Sequence, residues 1–93
     1  MSDEKRKKTR AIAETIRLLR SSQDGGYNTQ PVQAIIASLM TIQDEFDRTG
    51  RLDTDKLSFL FGPTGTIQEI SMFNGWADQF LRLAQEVDKI SNH

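Results

Sequence analysis

Apolar residues recur along this chain at helical spacing. In the first segment Ile12, Ile16 and Leu19 repeat at i, i+4 and i+7, with Ala13 and Leu18 widening the stripe. In the second, Ile35, Leu39, Ile42 and Phe46 step by four, three and four, thickened by Val32 and Ile36. Leu57, Leu60 and Phe61 mark a short third segment, and Ile67, Ile70 and Phe73 mark a fourth. The last runs Trp76, Phe80, Leu83, Val87, Ile90, a seam of the bundle kind. No stretch alternates with the period of two that a half-buried strand shows.

Polar breaks separate the stripes. "SSQDGGYNTQ" clusters small polar residues around two glycines and reads as a loop. Pro31 suits a first helical turn, with Asn28, Thr29 or Gln30 near the cap. Gly50 fits the position just past a helix end. Asp53 is a good N-cap for the short third helix. Proline disfavours a helical conformation in the residue before it, so that helix stops at Gly62-Pro63. Gly62-Pro63-Thr64-Gly65 has the residues of a type I turn, and Thr66 with Glu69 has the spacing of a capping box. "GPTGT" therefore reads as a joint between helices. Asn74-Gly75 is a second break, which leaves two readings open: two helices, or one bent helix over 66–91. These signals predict a single all-α domain spanning residues 1–93, a small irregular bundle of four to five helices near 3–22, 30–49, 53–61, 66–73 and 75–91. The first, second and last helices are expected to bury their stripes together while the two short ones cover one end.

With 93 residues, 37% hydrophobic and 27% charged, the chain has the balance of a globular domain with a small core. No cysteine is present, which removes disulfides, thiolate nucleophiles and cysteine–zinc sites. No apolar run approaches a membrane span, and no apolar segment follows the basic "MSDEKRKKTR", so a cytoplasmic protein is expected. The net charge of −1 hides an asymmetry: residues 1–22 carry seven Lys/Arg against three acids, and the remainder carries five against ten. A net charge near zero argues against a dominant nucleic-acid-binding surface. The basic residues Lys5, Arg6, Lys7, Lys8, Arg10, Arg17 and Arg20 keep a regulatory nucleic-acid binder as the alternative.

Catalysis has little support. A nucleophile needs an adjacent base and an orienting group, and the one histidine, His93, is the last residue. No Glu-x-x-His ligand pattern occurs, so neither a metal nor a cofactor is expected. The glycines before Thr66 lack the lysine that a phosphate loop requires, and Glu69 in the first turn repels an anion. The acidic run Asp44, Glu45, Asp47, Asp53 and Asp55 reads either as a solvated face or as a surface for a basic partner. The long seam of the last helix also allows a homodimer or adaptor subunit.

The run "LSFLFGPTGTIQEISMFNGWADQFLRLAQEVD" at residues 57–88 resembles a segment of small all-helical immunity proteins of bacterial polymorphic or contact-dependent toxin systems. The matching positions are Phe61, Pro63, Thr64, Gly65, Gln68, Glu69, Asn74, Gly75 and Trp76. They are residues that build the joint and cap helices, and the similar run covers about a third of the chain. The resemblance implies a helical bundle that works without catalysis, by binding and occluding a cognate protein toxin. If that toxin is a nuclease, the acidic residues from Asp44 to Asp55 are placed to occupy its basic groove.

Overall fold

The computed structural model describes residues 3–24, 31–62 and 65–91, with side chains described from residue 9 to residue 88 within those spans. Five helices occupy the described residues: α1 (Asp3–Arg20), α2 (Val32–Thr49), α3 (Thr54–Leu60), α4 (Thr66–Asn74) and α5 (Ala77–Ser91). The all-α bundle expected from the apolar spacing is the observed fold. α1 packs against α2 and α5, and α5 in turn packs against α3 and α4. The body is elongated, 38 × 21 × 21 Å.

Each stripe meets the core as its period requires. Ile12, Ile16 and Leu19 of α1 are buried against Ile35, Ile36, Leu39 and Ile42 of α2 and against Trp76, Phe80 and Val87 at the other side. Leu83 is half-buried at the edge of this core, and the Ile90 side chain lies outside the described residues. In α1 the stripe widens differently from expectation: Ala13 is exposed, while Ala11 and Thr15 are buried. Thr15 satisfies its hydroxyl by donating to the Ala11 carbonyl at 2.8 Å, so a polar side chain sits in the core at little cost. Leu57, Leu60 and Phe61 bury the third stripe, and the Phe61 ring lies parallel to that of Phe80 with centroids 6.2 Å apart. Apolar burial of this kind, at roughly 25 cal/mol per Å², supplies most of the drive for a helical bundle.

The helix ends show where local signals held. α2 stops at Gly50, whose φ of 75° is left-handed and whose N–H bonds the Phe46 carbonyl at 2.8 Å. Asp53 caps α3 by accepting from the Lys56 N–H at 3.0 Å. Two other caps differ from expectation. Pro31 precedes α2 as its N-cap rather than standing in the first turn, and the Val32 N–H is met by the Asp24 carboxylate at 2.9 Å. Asn28, Thr29 and Gln30 lie outside the described residues. At α4 the capping box does not form, because the chain becomes helical one residue too early. Gly65 is the N-cap and Thr66 is already in the helix, so its hydroxyl is not placed to receive the free N–H groups. The Gly65 N–H bonds the Gly62 carbonyl at 3.0 Å; Pro63 and Thr64, the centre of the expected type I turn, lie outside the described residues.

Asn74-Gly75 is a true break, so α4 and α5 are two helices rather than one bent one. Gly75 takes a left-handed φ of 82°, a conformation costly for residues with a Cβ. The Trp76 N–H turns back to the Ser71 carbonyl at 2.9 Å. Two residues of this joint, Asn74 and Trp76, hold the chain at the end of α1. The Asn74 Oδ1 accepts from the Gln23 N–H at 2.9 Å, and its Nδ2 donates to the Gln23 carbonyl at 2.9 Å and to the Ile70 carbonyl at 3.0 Å. The buried Trp76 indole N–H donates to the Ser22 hydroxyl at 2.8 Å, which donates onward to the Leu18 carbonyl at 2.8 Å. The "NGW" run is thus a clasp between the α4–α5 joint and the chain leaving α1.

Candidate functional site

The five acidic residues singled out above fall on one corner of the molecule, where α2 turns through Gly50 into α3. Thr49 fixes the corner: its hydroxyl donates to the Glu45 carbonyl at 2.8 Å and accepts from the Arg51 N–H at 3.1 Å. Asp44, Glu45 and Asp47 are exposed on the last turns of α2, and Asp55 is exposed in the first turn of α3. Their availability is unequal. Asp44 pairs with Arg48 one turn on, Nε to Oδ2 at 3.1 Å. The Asp53 carboxylate is engaged with the Lys56 N–H, which makes it a helix cap first and a contact residue second. Arg48, Arg51 and Lys56 stand among the acids, so residues 44–56 carry five negative and three positive side chains. The corner is mixed in charge with a slight acidic excess.

The apolar spacing did not reveal a set of exposed apolar side chains on α3, α4 and α5. Phe59 on α3 is 76% exposed, Met72 and Phe73 on α4 are each 61% exposed, and Leu81 on α5 is 56% exposed. Phe73 was expected in the buried face of α4; instead that face is Ile67, Ile70 and Ser71. At 3.6 residues per turn, Phe73 falls about a third of a turn from the centre of that arc. The same geometry finds Phe59: Leu57, Leu60 and Phe61 define the buried side of α3, and Phe59 lies off it. Asp55 and Phe59 are four residues apart on one helix, so an acid and an exposed aromatic share one face of α3.

Other sequence candidates carry less. The side chains of Lys5, Arg6, Lys7, Lys8 and the residue His93 lie outside the described residues. Arg17 is held by Glu14 of the same helix, its Nε donating to Oε2 at 3.1 Å and its second nitrogen to Oε1. That hydrogen bond, with the charge of Arg17, lowers the Glu14 pKa; the same bond, with the charge of Glu14, raises that of Arg17. Among the described residues no group of three or more His, Cys, Asp or Glu side chains is placed to hold a metal ion. No helix among them is long and apolar enough to cross a membrane. Comparisons with protein-family models, with curated proteins and with solved structures find no match to this chain.

Proposed function

We propose that the chain is an immunity-type protein of the bacterial cytoplasm, which neutralises a cognate toxin by binding it and covering its working surface. The observation that carries the reading is the exposure of Phe59, next to Asp55 and beside the acidic corner. A large aromatic held in water contributes little to the core and is stabilised when a partner covers it. An aromatic anchor rimmed by polar and charged groups is the usual make-up of a protein-binding hot spot. Met72 and Phe73 add apolar surface on the next helix. The resemblance of residues 57–88 to immunity proteins of toxin systems supports the same reading. In a complex with a basic toxin, Glu45, Asp47 and Asp55 speed encounter and disfavour wrong partners, while Phe59 supplies affinity.

The test is to co-express the chain with the C-terminal domain of the long secreted protein that such systems encode beside an immunity gene. Growth protection and a co-purifying complex are the expected results. A chain that neither protects nor binds refutes the reading. Protection that survives Phe59→Asp together with Glu45→Ser and Asp47→Ser refutes the surface assigned to it.

A further inference from the structure

Asn74 and Gly75 carry a chemistry of their own besides ending α4. In an Asn-Gly pair the backbone nitrogen after asparagine can attack the side-chain carbonyl carbon, because glycine puts no Cβ in the way. The Gly75 N–H gives its proton to base, the Gly75 nitrogen bonds to Asn74 Cγ, and the Cγ–Nδ2 bond breaks to release ammonia. Water then opens the five-membered imide at either of its carbonyls. The products are aspartate and isoaspartate, in which the main chain runs through the side-chain carbonyl. Solvent water is the only co-reactant.

Solvent reaches the site. Gly75 is exposed, and a Cβ there would meet nothing within 4 Å. The fold restrains the reaction by hydrogen bonding rather than by burial. Asn74 Nδ2 donates to the Gln23 carbonyl at 2.9 Å and to the Ile70 carbonyl at 3.0 Å, while Oδ1 accepts from the Gln23 N–H at 2.9 Å. The carbon to be attacked is thus fixed from both sides. The attacking nitrogen is engaged as well, its N–H directed to the Ser71 carbonyl. Asn74 is the last residue of α4. A helical ψ of about −42° keeps Cβ out of line with the next nitrogen, whereas closing a five-membered ring brings the two nearly eclipsed. Ring closure therefore requires the clasp to open. The indole bond of Trp76 to Ser22 at 2.8 Å opposes that opening, because it anchors the residue after Gly75.

We propose that Asn74 is a self-modification site gated by the clasp: opening of the α4–α5 joint lets it deamidate, and the product holds the joint open. Aspartate at this position keeps the bond from the Gln23 N–H but loses both bonds that Nδ2 donated. Isoaspartate lengthens the main chain by a methylene group beside the left-handed Gly75. Neither product rebuilds the clasp, so the change runs one way. It occurs whatever partner the chain binds.

The test follows deamidation of the full chain at neutral pH, folded and unfolded in guanidinium chloride. Trypsin releases residues 57–82 as one peptide in which Asn74 is the one asparagine, and fragment masses separate a change there from one at Gln68 or Gln79. The folded chain is expected to convert at least about tenfold more slowly than the unfolded one, since the rate follows the small open population. Ser22→Ala removes the acceptor of the Trp76 indole and raises the folded rate about two- to tenfold, the population change that loss of one net hydrogen bond brings. Ser21→Ala leaves the rate unchanged, because that hydroxyl donates to the Leu18 carbonyl and takes no bond from Trp76. Asp53→Ala, which weakens the α3 cap, also leaves it unchanged, because the opening is local. The converted chain separates by anion exchange through its added negative charge. Its single indole N–H, that of Trp76, exchanges faster with solvent than in the parent. Equal folded and unfolded rates overturn the proposal. So does a Ser22→Ala rate no higher than that of the parent or of Asp53→Ala, and so does a converted chain whose indole exchanges at the parent rate. None of these readouts involves a partner, so they stand apart from the immunity reading.

Discussion

Replacing Asn74 by alanine tests whether the α4–α5 joint holds the end of α1. The substitution removes three hydrogen bonds, two to the backbone of Gln23 and one to the Ile70 carbonyl. A net worth of about 0.5–1.5 kcal/mol each bounds the loss. The two Gln23 bonds are exposed, so water re-occupies those groups and their worth falls at the lower end. The Ile70 bond is partly buried and stands nearer the middle. Alanine returns a few tenths of a kcal/mol by its higher helix propensity. The expected net loss is about 1–2 kcal/mol.

Urea unfolding followed by far-ultraviolet circular dichroism reads that loss as a lower midpoint at unchanged slope. Amide exchange adds a local readout, because the Gln23 N–H loses its acceptor and exchanges faster. Asn74→Asp sharpens the test. Its carboxylate still accepts from Gln23 N–H but faces two carbonyl oxygens and adds negative charge at the C-terminal end of α4. It is expected to be at least as destabilising as alanine at neutral pH. Those contacts favour the protonated form, so its folded pKa is raised and stability recovers as pH falls through it. An unchanged urea midpoint for Asn74→Ala, unchanged exchange at Gln23, or a milder effect for Asn74→Asp than for alanine refutes the clasp.

Five further outcomes follow from single substitutions. Gly65→Ala is expected to cost about 1–3 kcal/mol, since its Cβ would stand 2.9 Å from the Leu60 carbonyl oxygen and 3.1 Å from those of Gly62 and Phe59. Thr66→Ala, next to it, has no cap to lose and stays within about 0.5 kcal/mol of the parent chain in urea unfolding. Asp53→Ala removes the α3 cap and lowers stability by about 0.5–2 kcal/mol, with no change in the exposure of Phe59 to quenchers. Glu14→Gln lowers the melting temperature slightly at about pH 7 and not at about pH 2. The folded pKa of Glu14 is lowered by its hydrogen bond to Arg17, so its contribution is present above the unfolded value and lost as pH falls through the folded one. Trp76→Ala leaves a cavity in the seam and costs about 3–5 kcal/mol by calorimetry, while toxin capture by the folded fraction is retained.

The helices were legible because their signals are local. An apolar period of three and four residues reports the buried face of α2 at every position from Val32 to Phe46. Gly50 was legible as a helix end for the same reason, a left-handed residue being a property of one position, whereas at Gly75 the sequence left a bent helix open and the structure shows the break. Caps fared worse where they depend on how the chain arrives. Asp24 reaches α2 from eight residues upstream, which no spacing rule anticipates. Thr66 and Glu69 have capping-box spacing, yet a shift of one residue in the helix start hands the cap to Gly65. Phe73 was misplaced because a spacing of three extends the Ile67–Ile70 stripe on paper. In three dimensions two steps of three under-rotate the helix, and Ser71 takes the inward position.

The candidate surfaces were legible in proportion to their continuity along the chain. The acidic corner spans residues 44–55 and could be read directly, but Asp44 is held by Arg48. The exposed apolar set draws on α3, α4 and α5 and forms no continuous run. The uneven charge of the two ends also means less than it first implies. Glu14 pairs with Arg17 within α1, and Asp44 with Arg48 within α2, so these charges are answered along their own helices. Exposed pairs of this type contribute little to stability. On the proposed reading charge tunes encounter, whereas an aromatic such as Phe59 is where binding energy concentrates. Trp76 makes the contrast physical: the aromatic with the polar handle is spent inside, on Ser22, while a plain phenyl ring is left in water. A residue type alone would have chosen the tryptophan as the hot spot. Position on the helix is what leaves the phenylalanine exposed.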